Sequence, residues 1–187
     1  HRNLNTLHPS KNLNIEIEDT FFSNYSLNPA IFDDLAVESA AVKLSMLRVY
    51  RECISDDVYS CTVIHSMLLD LIVSHRREKR SGEHPKWVST VKEIIHDRWN
   101  ENISLKELSH LANVHPVTIS KNFSKYFSCT LGEYLRRVKI EKSLYLISQT
   151  EQALTEIALQ CGFADQSHFI RTFRAMTGFL PKHFRKL

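Results

Sequence analysis

Apolar residues recur at three- and four-residue steps along most of this chain, the spacing that places side chains on one face of an α-helix. From Asp33 onward, Val37, Ala40, Leu44 and Leu47 share such a stripe, which Ile54 rejoins after Arg51 interrupts it. A second stripe, Cys61, Ile64, Leu68, Leu71 and His75, leads to Arg76, Arg77, Lys79 and Arg80, cations that favour a helix C-terminus. Together they predict a helical hairpin over 33–80. Residues 1–32 lack this rhythm: they are rich in Asn and Ser, contain Pro9 and Pro29, and alternate at Leu13, Ile15 and Ile17, which predicts a short extended strand among loops.

The segment Ser81-Gly82-Glu83-His84-Pro85 combines Gly, Pro and charge between two periodic regions and reads as a linker. It divides the chain into 1–80, the linker 81–85, and 86–187. Beyond it the helical rhythm resumes with Trp87, Val88, Val91, Ile95 and Trp99, and no β-rich run follows. Ser104-Leu105-Lys106-Glu107 has the spacing of a capping box, which starts a helix with an apolar face of Leu105, Leu108, Leu111 and Ala112. Asn113 to Pro116 interrupts it, with Pro116 suited to the first position of the next helix. There Ile119 and Phe123 face inward, which turns Val117, Thr118, Ser120 and Lys121 outward.

The same plan returns about 49 residues later. Leu154, Ile157, Ala158 and Cys161 form a short apolar helix, Gly162 supplies the turn, and Asp165 caps a helix with Phe169 and Phe173 inward. Its outward face carries Gln166, Ser167, His168 and Arg171. Between the units, Thr130-Leu131-Gly132-Glu133 opens a long spacer helix through Leu135, Val138, Ile140, Leu144 and Ile147. The fold class expected is mainly α: two helix-turn-helix subdomains joined by a long spacer helix, preceded by a helical hairpin and a short extended N-terminal segment. Arg136, Arg137, Lys139 and Lys142 lie on or near the spacer, to meet phosphates or to solvate a helix.

Composition sharpens this picture. Net charge is +3, but from Lys86 onward 15 Lys and Arg face 9 Asp and Glu, whereas the first 85 residues are net acidic. The basic half is the candidate polyanion binder. The longest apolar run, Met67 to Val73, contains Asp70 and is far short of the roughly 20 residues of a membrane span. Cys53, Cys61, Cys129 and Cys161 form no C-x-x-C pair, read as small core residues, and suit a reducing cytoplasm. The chain begins with His1 and reads as a fragment.

Ten histidines raise the question of an enzyme, but they are scattered. No H-E-x-x-H, G-x-S-x-G or phosphate-cradling loop occurs, and four glycines leave little room for one. No catalytic residue, metal ligand or cofactor is expected, and Cys53 and Cys61 lack the setting of an alkyl-transfer thiol.

The run Gly162-Phe163-Ala164-Asp165-Gln166-Ser167-His168-Phe169-Ile170-Arg171-Thr172-Phe173-Arg174, with Thr177-Gly178 and Pro181 to Arg185, resembles the signature of AraC/XylS-family regulators. The resemblance covers roughly Lys86 to Leu187, including Glu133 to Arg137 and Lys139-Ile140-Glu141. It implies a bacterial transcription regulator, activation being the family's commoner mode, with 1–80 as the end of a sensor and dimerisation domain. Departures are Ser128 in place of a usual Gly, His115 in place of Ser, and Ala153 and Leu180 where a capping Ser or Thr is usual.

Two recognition helices about one DNA turn (~34 Å) apart can enter successive major grooves, so one chain reads a bipartite site. The expected base-contacting residues are His115, Val117, Thr118, Ser120 and Lys121 in the first unit, and Gln166, Ser167, His168 and Arg171 in the second. Arg171 can donate twice to guanine, Gln166 can pair with adenine, and Val117 and the Thr118 methyl suit thymine. For His115 a role in the turn stands beside base contact. Phosphate contacts are expected from Lys125, Arg174 and Lys182. Expected partners are double-stranded DNA, RNA polymerase, a second copy of the chain through 33–80, and a small-molecule effector at an upstream domain; no membrane is involved. The hairpin could also close on itself as a monomer core. The competing function is an architectural module that binds DNA without sequence choice.

Overall fold

Every regular element among the described residues, 15–32, 39–55, 57–80 and 84–187 of this computed structural model, is helical. The chain divides into two units, His1–Asp34 and Leu35–Leu187. The first contains helix α1 (Asp19–Asn24) and a 3-10 turn at Pro29–Phe32. Phe22 meets Phe21 and Phe32 edge-on, with ring centroids 5.6 and 5.9 Å apart. The strand expected at Leu13 to Ile17 does not form at its described residues, Ile15 to Ile17; Leu13 lies outside them. A single strand with no second one to pair with is not stable, and the chain turns helical at Asp19 instead.

The second unit holds nine described helices: α2 (Ala40–Cys53), α3 (Ser60–Arg80), α4 (Lys86–Asp97), α5 (Leu105–Leu111), α6 (Pro116–Phe127), α7 (Leu131–Gln149), α8 (Leu154–Gln160), α9 (Gln166–Thr177) and α10 (Pro181–Phe184). Residues 33–38, where the first amphipathic stripe was expected to begin, and linker residues 81–83 lie outside the described set. Ser39 caps α2, its Oγ accepting from Val42 N at 3.4 Å. The buried positions of α2 are Val42, Leu44 and Val49 rather than one narrow stripe, because the helix packs on α3 on one side and on α7 and α9 on the other. On α3, Leu68, Leu71 and Ile72 are buried, while Cys61 is exposed.

Two apolar cores form around α7. The first joins Val88, Val91 and Ile95 of α4, Leu108 of α5, Ile119, Phe123 and Phe127 of α6, and Val138. The second joins Leu44 of α2, Ile140 and Ile147 of α7, Ile157 and Ala158 of α8, Phe169 and Phe173 of α9, and Phe179. Trp99, expected inside the first helix of this half, lies just past the end of α4 and packs against both cores. Phe169 and Phe173 are fully buried, and truncation of a side chain of that size costs about 3–5 kcal/mol. The nineteen residues of α7 make a rod about 28 Å long.

Candidate DNA interface

Local capping sets where each element of the two helix-turn-helix units begins. Ser104 Oγ accepts from Glu107 N at 3.1 Å and Thr130 Oγ1 from Glu133 N at 3.2 Å. The reciprocal half of each expected capping box is replaced: Glu107 pairs with Arg98 at 2.7 Å and Glu133 with Arg137 at 2.6 Å. The second unit inverts the arrangement. Ala153 has no side-chain acceptor, and Glu156 Oε2 reaches back to accept from Ala153 N at 3.1 Å. The carboxylate half of the box therefore does the work of the missing hydroxyl.

Pro116 occupies the first position of α6, as its missing N–H favours. His115 caps this helix, its Nδ1 accepting from Val117 N at 3.3 Å. One ring nitrogen is thus committed to the turn. Asp165 caps α9 more tightly, with Oδ1 accepting from His168 N at 2.7 Å. The recognition helices bury Ile119 and Phe123 in one case and Phe169 and Phe173 in the other, which fixes what each presents outward.

On α6, Val117, Ser120 and Lys121 are exposed along the first two turns, while Thr118 is half-buried. The Ser120 hydroxyl donates to Val117 O at 3.3 Å. On α9, Ser167, His168 and Arg171 are exposed together, and the His168 ring meets Phe163 edge-on at 5.3 Å. Gln166 is half-buried, and its Oε1 accepts from Thr155 Oγ1 of α8 at 2.7 Å. Thr155, absent from the sequence-based set, thereby orients the amide of Gln166. Lys125 and Arg174 are exposed near the C-terminal ends of α6 and α9, Lys125 Nζ lying 5.2 Å from the centroid of the Tyr126 ring. Lys182 is exposed on α10.

The basic cluster of the spacer divides in a way the sequence does not suggest. Arg136 and Lys142 are exposed, Arg137 is held by Glu133, and Lys139 is only 6% exposed. Lys139 Nζ donates to Asn102 Oδ1 and to Gly162 O, both at 2.8 Å. Neither phosphate contact nor solvation of the helix surface is open to it. The readable signal is that Lys139 stands between Val138 and Ile140, core positions of the two helix-turn-helix units, while Arg136, Lys142 and Tyr145 remain on the exposed face of α7.

The helix-turn-helix domain family matches residues 108–187. A probable AraC family transcriptional regulator from Rhodopseudomonas palustris superposes with a TM-score of 0.51 at 28% identity, over 55% of this chain and 96% of that one. Residues 108–187 form a helix-turn-helix domain of the AraC type. Among relatives, the Bacillus subtilis bifunctional transcriptional activator/DNA repair enzyme AdaA is 29% identical over 102 residues, 54% of this chain and 48% of its own. The Msm operon regulatory protein of Streptococcus mutans is 26% identical over 124 residues, 66% of this chain and 44% of its own. The chain thus spans about half the length of these relatives. Within the AraC-type domain no group of His, Cys, Asp and Glu assembles a metal site among the described residues, and none of their helices is long and apolar enough to cross a membrane.

Proposed function

We propose that this protein is a sequence-specific transcription regulator, an activator, whose AraC-type domain reads a bipartite site in two successive major grooves. One observation carries the proposal: two capped recognition helices, each anchored by buried aromatic residues and each presenting polar side chains along its outer face, share one spacer helix. Polar outer faces favour sequence choice over architectural binding, since hydrogen-bonding side chains distinguish base edges. The proposed base contacts are Val117, Thr118, Ser120 and Lys121 from α6 and Gln166, Ser167, His168 and Arg171 from α9. His115 joins them through the edge of its ring that the cap leaves open. Lys125, Arg174 and Lys182 are the proposed phosphate contacts. Activation is proposed from the activator named among the relatives.

Proposed partners beyond DNA are RNA polymerase, a small-molecule effector acting from outside the AraC-type domain, and a second copy of the chain. Residues 1–80 are proposed as the end of a sensor and dimerisation domain, with 81–85 as its linker, in a cytoplasmic protein without enzymatic activity. Both sides of α2 are already packed, so a dimer contact would fall on the outer face of α3. Sedimentation that showed only monomer up to high micromolar concentration would remove that contact.

The function is tested by selecting genomic fragments with the purified chain and footprinting the best of them. Protection of two adjacent major grooves on one face of the duplex is the expected result. Equal affinity for selected and random duplexes would replace it with architectural binding.

A further inference from the structure

Lys139 sits where α7 passes from one core to the other: Val138 belongs to the core of the first helix-turn-helix unit and Ile140 to that of the second. Its ammonium makes two hydrogen bonds, and they go to opposite partners. Asn102 lies in the loop that enters α5, and Gly162 lies in the turn between α8 and α9. The first partner is anchored to its unit through Arg98, which pairs with Glu101 in the same loop and with Glu107 on α5. The second is anchored by its own turn, with Gly162 N donating to Leu159 O at 2.9 Å and Phe163 N to Ala158 O at 2.9 Å.

The contact leaves no slack. Gly162 has φ 71°, and a Cβ there would overlap the Asn100 carbonyl oxygen and come within 2.9 Å of Lys139 Nζ. The Phe163 ring closes another side, its centroid 5.9 Å from the ammonium. Burial of a charge is unfavourable unless its donors are satisfied, so the site constrains the distance between Asn102 and Gly162 rather than only filling space. Burial also lowers the Lys139 pKa from its ordinary value. Trp99 also packs on both cores.

We propose that Lys139 is the positioning residue that fixes the relative orientation of the two recognition helices, and through it the number of base pairs accepted between the two half-sites. This rests on bipartite reading. Two modules on a stiff connection gain affinity only where both can engage together, so the stiffer the connection, the sharper the dependence on spacing.

The test uses the full chain and duplexes carrying the selected half-sites at their native spacing and with one or two base pairs inserted or removed. One inserted base pair displaces a half-site by about 3.4 Å and rotates it by about 35°. The parent is expected to lose at least about tenfold in affinity for that change, and Lys139→Met to lose less than about threefold, with single half-sites bound equally by both. Asn102→Ala, at an exposed position whose Oδ1 is one of the two acceptors, is expected to flatten the profile in the same direction and serves if Lys139→Met does not fold. A parent profile that depends on spacing, with both variants retaining it, overturns the role of Lys139 alone. Equal loss on single half-sites also overturns it, because it marks general destabilisation. A flat parent profile overturns bipartite reading, and the positioning role with it.

Discussion

Asn113 and Gly162 hold the same left-handed backbone, φ 52° and 71°, at the same point of two turns. Each is followed by an N–H that reaches back five residues, Val114 to Ser109 O at 3.0 Å and Phe163 to Ala158 O at 2.9 Å. The correspondence continues to the ends of the recognition helices, where Ser128 and Gly178 end α6 and α9 in left-handed conformations with φ 54° and 79°. The turn before α9 is one residue longer, but the hydrogen-bonded frame is common to both units.

Ser128 is the position in that frame where the side chain opposes the backbone. A non-glycine residue in this conformation costs about 1–2 kcal/mol, and its hydroxyl is buried without a partner. Greater freedom of glycine in the unfolded chain offsets part of the gain. Ser128→Gly is therefore expected to stabilise the protein by about 0.5–1 kcal/mol, seen in urea as a raised midpoint at unchanged slope. A lowered midpoint would mean that the hydroxyl makes a stabilising contact.

Arg171 is exposed, and it forms no ion pair with any described residue. Arg171→Ala is expected to leave the melting temperature unchanged while weakening the selected site by about 1–3 kcal/mol, roughly five- to 150-fold. Random duplex should be affected far less. Equal losses on both, measured by fluorescence anisotropy, would make Arg171 a phosphate contact instead.

Binding should weaken steeply with salt, each neutralised phosphate adding about 0.9 to the slope of log affinity against log salt. Lys125→Ala and Arg174→Ala are each expected to flatten that slope by about one unit on selected and random duplex alike. A variant that retains the parent slope would have its side chain away from the backbone of the DNA.

His96 on α4 links pH to stability. Its Nε2 lies 3.1 Å from the Tyr134 hydroxyl, and burial lowers its pKa below the ordinary 6.5, with Lys92 and Lys142 acting the same way against Glu141 and Asp97. The unfolded state thus binds the proton first. The contribution is fully present above pH 6.5 and is lost as pH falls toward the lower folded value. His96→Gln keeps a polar partner for Tyr134 and should show a shallower loss of stability between about pH 7 and 5. Identical pH dependence in parent and variant would assign the acid sensitivity to other groups.

Local signals were legible in the sequence because they act over three or four residues. Ser104, Thr130 and Asp165 cap their helices through the adjacent backbone, and Pro116 begins α6 by the same short-range logic. The inward pairs Ile119 with Phe123 and Phe169 with Phe173 follow from helical spacing alone. Where partners come from far along the chain, the pattern misleads. Lys139 looks like part of a solvated cluster until Asn102 and the Gly162 carbonyl, 37 and 23 residues away, close over it. Glu107 and Glu133 have capping-box spacing, yet arginines draw their carboxylates aside. Gln166 reads as a free groove-facing amide, although Thr155 holds its oxygen.

The common frame of the two turns has a directional consequence. Two units built alike but faced differently, Val117 and Lys121 on one and His168 and Arg171 on the other, give the molecule a head and a tail. A target that one chain reads in the proposed bipartite way is not a palindrome, and that chain can occupy it in one sense only. Inverting such a site within a promoter would keep its affinity but turn α2 and α3, which ride on the same unit, to face the opposite way along the duplex.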